Sequence, residues 1–218
     1  PVANANGAVT FTFKVFDGDA LSADVGTYTM TYSAANDVPT WTTEAADVTA
    51  SEDVAKAIAA NVIADVDDSS LASMIITSTE GGTFSLASVA DLTFAANSGD
   101  GTDDNTMTFS GTIANINTAI ASMTWTSQLN NNNDAALTLV ANDGDGNSAT
   151  NSITITVNAV NDAPTASNAA ATVTEDVSYV SWTTESAWGY SDVESSAMTQ
   201  IKLASLPSNG ALTDDDED

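Results

Sequence analysis

The strongest constraint on this chain is a device that occurs twice: an alternating apolar strand runs into an Asn-Asp pair and then a proline. Tyr28, Met30 and Tyr32 alternate before Asn36-Asp37 and Pro39. Ile153, Ile155 and Val157 alternate before Asn161-Asp162 and Pro164. Proline has no amide hydrogen to give a ladder, so pairing stops there and a new segment begins. A boundary of this kind used twice marks a tandem repeat.

Other stretches repeat in the same order. Asp17-Gly18-Asp19 and the Asp143 to Gly146 run lie 126 residues apart at their first aspartates, and Asn36 and Asn161 lie 125 apart. Glu52-Asp53 corresponds to Glu175-Asp176, and Asp65-Val66-Asp67 to Asp192-Val193-Glu194, 127 residues on. The module is therefore roughly 125 residues long. Residues 1–37 read as the closing strands of one module, 38–162 as a whole module, and 163–218 as the opening part of another. The chain begins with Pro1 rather than Met, the expectation for a processed chain or a piece of a longer one.

Within the modules the apolar period is mostly two. Phe11, Phe13 and Val15 alternate, the Asp-Gly-Asp turn follows, and TYTMTY alternates again. Residues Ala57 to Val66, MIITS, GTFSLAS, LTFAA, MTWTS, ALTLV and SITITV read as further short strands. One stretch differs: Ile113, Ile116, Ile120 and Met123 recur at helical spacing after Thr112, a candidate N-cap. The expected fold is all-β, a series of Ig-like β-sandwiches with one short helix in the complete module.

Composition narrows the function. Thirty acidic residues face only Lys14, Lys56 and Lys202, for a net charge of −27. Such a surface repels phosphate and anionic lipid and attracts cations, so neither nucleic acid nor membrane insertion is expected. With 43% hydrophobic residues and regular alternation, the chain is expected to fold despite its charge. There is no histidine, cysteine or arginine, so the usual nucleophile–base pairs and thiolate metal sites lack their parts. The chain is not expected to be an enzyme.

The whole module resembles the cadherin-like, Ig-like repeats of giant bacterial surface adhesins of the RTX type. EDV, DVD, GTFSL, DGTDDNTMTFSGTIANINTAIASMTW, DGDG and VNAVNDAPT carry the resemblance over residues 40 to 165, and WGYSDVESS, IKLASLPSNGALT and PVANANGAVTFTFKVFDGDALS extend it to a sister repeat at the two ends. The resemblance implies an extracellular, cell-surface stalk.

Clustered Asp and Asn in loops are the chemical signal that remains. Ca2+ takes six to eight oxygen ligands from carboxylates, amide carbonyls and water. In a seven-stranded sandwich the loop after the second strand and the loop between the last two share a pole. Asp65 and Asp67 should therefore approach Asp143 and Asp145, where Asn36-Asp37 also arrives. Glu52 and Asp53 should lie at the opposite pole, towards Asn161, Asp162, Asp192 and Glu194. Singly, each of these residues is an ordinary turn former; as a set at matched positions they read as cation ligands. Cadherins use a similar linker Asn/Asp, DxD loop and Glu, so the resemblance implies Ca2+ at each junction. Ser98 to Asn105 is the weaker case, since it lacks the distal Glu of an EF-hand. Trp41, Trp125, Trp182, Trp188 and Tyr190 read as packing residues, with Trp188 and Tyr190 alternating on a strand and at least one of them buried.

The expected function is a calcium-stiffened structural or adhesive rod whose partners are neighbouring repeats or copies, head to tail. A self-assembling filament subunit is the alternative. A glycan- or ice-binding module finds no regular Thr array or aromatic platform. The two terminal pieces are expected to form one domain type. FTFKVF and TYTMTY would complete a sandwich with the strands of 170 to 212, bringing Asp17 and Asp19 to Asp192 and Glu194.

Overall fold

The structure is a computed structural model that describes residues 4–121, 123–170, 172, 185–205 and 208. The chain divides into two compact units, residues 1–159 and 160–218. Of the stretch 170 to 212 expected to supply strands, residues 171, 173–184, 206–207 and 209–212 lie outside the described residues, Glu175-Asp176, Trp182 and most of LPSNGALT among them.

The first unit opens with β1 (Gly7–Phe13) and β2 (Gly26–Tyr32), an antiparallel hairpin in which Val9 faces Met30 and Phe11 faces Tyr28. The repeating module follows as β3 (Thr40–Thr43), β4 (Val48–Ser51), β5 (Lys56–Ala57), β6 (Val62–Ala64), β7 (Ser70–Ser78), β8 (Thr83–Ser85), β9 (Thr93–Phe94) and β10 (Thr106–Thr112). Helix α1 (Ile113–Ile120) leads into β11 (Thr124–Thr126), β12 (Ala135–Asn142) and β13 (Asn151–Asn158).

The result is an all-β, sandwich-type fold with one helix. Six strands form one sheet in the order β4-β13-β12-β7-β10-β9, and three form another in the order β5-β11-β8. The period-two pattern has its expected physical consequence. Ala135, Leu137, Leu139 and Ala141 on β12, and Ile153, Ile155 and Val157 on β13, are buried while their neighbours in sequence stay at least partly exposed. They meet Met74 and Ile76 of β7, Phe109 of β10, Phe84 of β8 and Trp125 of β11 in one core. Burying side chains of this size contributes about 1.5–3 kcal/mol each.

Helix α1 begins where its cap residue sits: Thr112 is extended, and its hydroxyl accepts from the Asn115 amide at 3.2 Å. Ile116, Ile120 and Met123 are fully buried, and Ile113 packs against the core. The helix therefore closes the core with one apolar stripe.

Two readings of the sequence need correction. The stretch Ala57 to Val66 is not one strand but β5 and β6 with a break between them. Asn61 causes the break. Its buried side chain accepts from the Ala45 amide at 2.9 Å and from Asn151 Nδ2 at 2.8 Å. Asn117 meets both backbone groups of Ile63, accepting from its N–H and donating to its C=O. Side-chain bonds thus replace part of a ladder. Partly for this reason, β3 to β13 comprise eleven short strands where about seven were expected. The second correction concerns Trp188 and Tyr190. Trp188 closes a 3-10 turn (Glu185–Trp188), Gly189 at φ +60° swings the backbone, and only Tyr190 lies on a strand. Neither ring is fully buried.

The second unit is smaller. Strand β14 (Thr165–Ala166) pairs antiparallel with β15 (Tyr190–Ser191). Residues 197–205 form no strand.

The Asn61 network gives a direct test. Asn61→Ala leaves two buried donors, the Ala45 amide and Asn151 Nδ2, without that acceptor, and each orphaned donor costs about 1–3 kcal/mol. An unfolding free energy lowered by at least about 2 kcal/mol, read as a lower urea midpoint at unchanged m-value, is expected; a midpoint equal to that of the parent would contradict the role given to Asn61.

Candidate metal centre

Three chain segments converge at one pole of the complete module: the linker at Asn36-Asp37, the β6–β7 loop, and the β12–β13 turn. The linker is tied to both of the others. Asn36 Nδ2 donates to Asp143 Oδ2 at 2.9 Å, and the Asp37 amide donates to Asp67 Oδ2 at 2.8 Å.

Each loop is shaped by an aspartate that folds the backbone around itself. Asp65 Oδ1 accepts from the amides of Asp67 and Asp68, both at 2.8 Å. Asp143 Oδ1 accepts from Asp145 at 2.7 Å and from Gly146 at 2.6 Å. Gly144 lies between them at φ +115°, where a side chain would strain the turn. Turn formation therefore occupies one oxygen of each carboxylate and leaves the other to point elsewhere.

One carboxylate oxygen each from Asp65, Asp68 and Asp143 lie within 4.8 Å of one another. Oxygens on opposite sides of a Ca2+ ion at ordinary bond lengths would be about 4.6–5.2 Å apart. Asp65 Oδ2 is buried and has no hydrogen-bond partner among the described residues. A shielded carboxylate oxygen facing two more carboxylates is a costly arrangement unless a cation joins it. The residues present fit a hard divalent cation.

The titration of the site follows from this crowding. Asp143 is held below the ordinary carboxylate range, first by the Asn36 amide and then by the Gly146 N–H. Asp68 is pushed up, first by desolvation and then by the charges of Asp65, Asp143, Asp67 and Asp145. A depressed carboxylate supports the fold above its unfolded pKa and withdraws that support as pH falls through its folded value. A raised one acts oppositely: Asp68 takes stability away as pH climbs from its unfolded to its folded value.

The expected ligands distribute as follows. Asn36, Asp37, Asp65, Asp67 and Asp143 come together, with Asp145 near enough to act on Asp68. Asp68 was missed, although its signal was present: it lies three residues beyond Asp65, where the Asp65 turn brings its backbone back. Glu52 is 2% exposed at the end of β4, and its amide donates to the Asn158 carbonyl. Asp53, at φ +60°, receives the Asn130 amide and gives its own amide to Ser127 Oγ, so it braces that loop. In the second unit the Asp162 amide donates to Glu194 Oε2 at 3.2 Å, Asn161 Nδ2 donates to the Asp162 carbonyl, and Asp192 Oδ1 accepts from Ser196. Asp17 Oδ1 accepts from Asp19 and Ala20, and these bonds, Ala20 first, hold its carboxyl below the usual range. The Ser98 to Asn105 loop spends its carboxylates on itself: Asp104 accepts from Asp100 and Gly101, and Asp103 from Ser85.

Carboxyl-carbon NMR in chelator should place the Asp68 midpoint above that of Asp143, and Ca2+ should bring the Asp68 midpoint down. An Asp68 titration indifferent to Ca2+ would remove that residue from the ligand set.

Compared with protein-family models and with curated proteins, the chain matches none.

Proposed function

We propose that the chain is a stalk segment of an extracellular, bacterial-surface adhesive protein, in which Ca2+ at the pole of each module fastens the incoming linker and stiffens a rod. The observation that carries this reading is the convergence of one carboxylate oxygen each from Asp65, Asp68 and Asp143 within 4.8 Å, together with a buried Asp65 Oδ2 that has no hydrogen-bond partner among the described residues, at the place where Asn36 and Asp37 are bound to the same loops. Asp65, Asp68 and Asp143 would hold the ion. Bound there, the ion supplies positive charge that cancels carboxylate repulsion. Asn36 and Asp37 then act as the mechanical link, because rotating the linker away breaks their bonds to Asp143 and Asp67.

Net charge supports the reading further. At −27 the chain repels itself at every close approach, and divalent cations are the simplest means of relieving that repulsion. The resemblance to RTX-type stalk repeats supplies the setting. Nothing in this reading calls for catalysis. The distal ligand of such a protein would be held by other parts of it.

Thermal melting with and without chelator tests the proposal. A site held at about 100 times its dissociation constant adds about 2.7 kcal/mol, so chelation should lower the melting temperature by several degrees. Asp65→Asn separates cation binding from turn formation, since an amide oxygen still accepts from Asp67 and Asp68 while one charge is gone. It should melt at or above the chelated parent, with the calcium increment lost. Asp103→Ala should keep that increment. Equal melting of the parent in Ca2+ and in chelator would overturn the proposal.

A further inference from the structure

We propose that the β1–β2 hairpin docks on the second unit of another copy of this chain, with β1 pairing antiparallel to residues 197–205. This goes beyond the stalk reading and stands on strand geometry, independently of any cation.

The hairpin reproduces β12–β13 pair for pair, with one extra residue between Ser22 and Gly26. Val9 faces Met30 and Phe11 faces Tyr28, as Ala135 faces Ile155 and Leu137 faces Ile153. Phe16 bridges Leu21 as Asn142 bridges Asn147. The Val15 amide donates to Ser22 Oγ as the Ala141 amide donates to Ser148 Oγ. Asp17 accepts from Asp19 and Ala20 as Asp143 accepts from Asp145 and Gly146. Gly18 at φ +111° stands for Gly144 at φ +115°.

The surroundings differ. In the module, β12 is paired with β7 and β13 with β4, and their apolar side is buried. The hairpin pairs only with itself among the described residues, and Val9, Phe11 and Tyr28 are each about half exposed.

The second unit repeats the half of the module that receives such a hairpin. Thr165 faces Ser191 and Ala166 faces Tyr190, as Thr40 faces Ala64 and Trp41 faces Ile63. The Asp162 amide donates to Glu194 as the Asp37 amide donates to Asp67. Residues 197–205 stand where β7 stands in the module: Met198, Ile201 and Leu203 take the places of Leu71, Met74 and Ile76. They form no ladder with any described residue, and Ile201 and Leu203 are about half exposed. No counterpart of the β12–β13 hairpin lies within 160–218. Among the described residues, residues 1–218 thus offer both a hairpin paired only with itself and a segment, 197–205, that matches β7 in sequence and has no ladder partner. A second copy satisfies both, in a head-to-tail contact that need not close.

The register follows from β12 against β7, where Leu139 faces Ile76 and Ala141 faces Met74. Transferred, it sets Phe13 beside Leu203 and Val15 beside Ile201. It also sets Lys14 beside Lys202, a like-charge pair that opposes association.

Sedimentation velocity tests the contact with two variants, Phe11→Asp and Ile201→Asp, whose complete modules should melt as in the parent. The parent should form oligomers that grow with concentration. Each variant alone should stay monomeric. Mixed at equal amounts they should form a dimer, because the first still offers its second unit and the second still offers its hairpin. Lys202→Glu should tighten the parent association about two- to five-fold at low salt. A monomeric parent, as closure within one chain would give, overturns the proposal; so does a monomeric mixture, or a Lys202→Glu variant no tighter than the parent. Repeating the series in Ca2+ and in chelator separates the two readings: assembly in both with no calcium effect on melting sinks the cation alone.

Discussion

Mutual repulsion among carboxylates held too close together is the constraint on which the functional pole turns. Asp65 and Asp143 each fold a loop around one of their own oxygens, and the same bonds fix where the remaining oxygens point. One carboxylate oxygen each of Asp65, Asp68 and Asp143 lie within 4.8 Å of one another. Local hydrogen bonds of the backbone turns thus hold an arrangement of like charges together. Burial of Asp65 Oδ2 removes water as an alternative partner.

The sandwich supplies the rigidity that makes this crowding sustainable. Alternating side chains from β7, β10, β12 and β13 lock one sheet against Phe84, Trp125 and the α1 stripe. Loops at the ends of such strands cannot relax apart without disturbing a core in which Met74, Leu137 and Ile153 are fully buried. The same geometry explains why the linker matters. Asn36 and Asp37 are bound to loops that the core already positions, so stiffness at the junction costs little additional ordering.

Most of this was legible in the sequence wherever a short-range rule governs. Alternation gave β12 and β13, the Thr112 cap and the isoleucine spacing gave α1, and the Asp-Gly turns gave both hairpins. The pole set was legible because strand parity brings the β6–β7 and β12–β13 loops together whatever the details of packing. The break at Asn61 was not, because its partners Ala45 and Asn151 are distant in sequence and an amide in an apolar run carries no local signature. Asp68 was overlooked because a DxD reading counts alternate residues, whereas the turn brings the third residue back. Asp53 reads as a ligand by motif, and its bonds to Ser127 and Asn130, partners distant in sequence, were not legible there.

The central claim is that the pole of the complete module is a cation site, and calorimetric titration of the chelator-stripped chain with Ca2+ addresses it most directly. The expected result is saturable binding at the Asp65, Asp68 and Asp143 site, lost in Asp65→Asn and kept in Asp103→Ala. Binding heat that is absent, or that is the same in Asp65→Asn as in the parent, would contradict it.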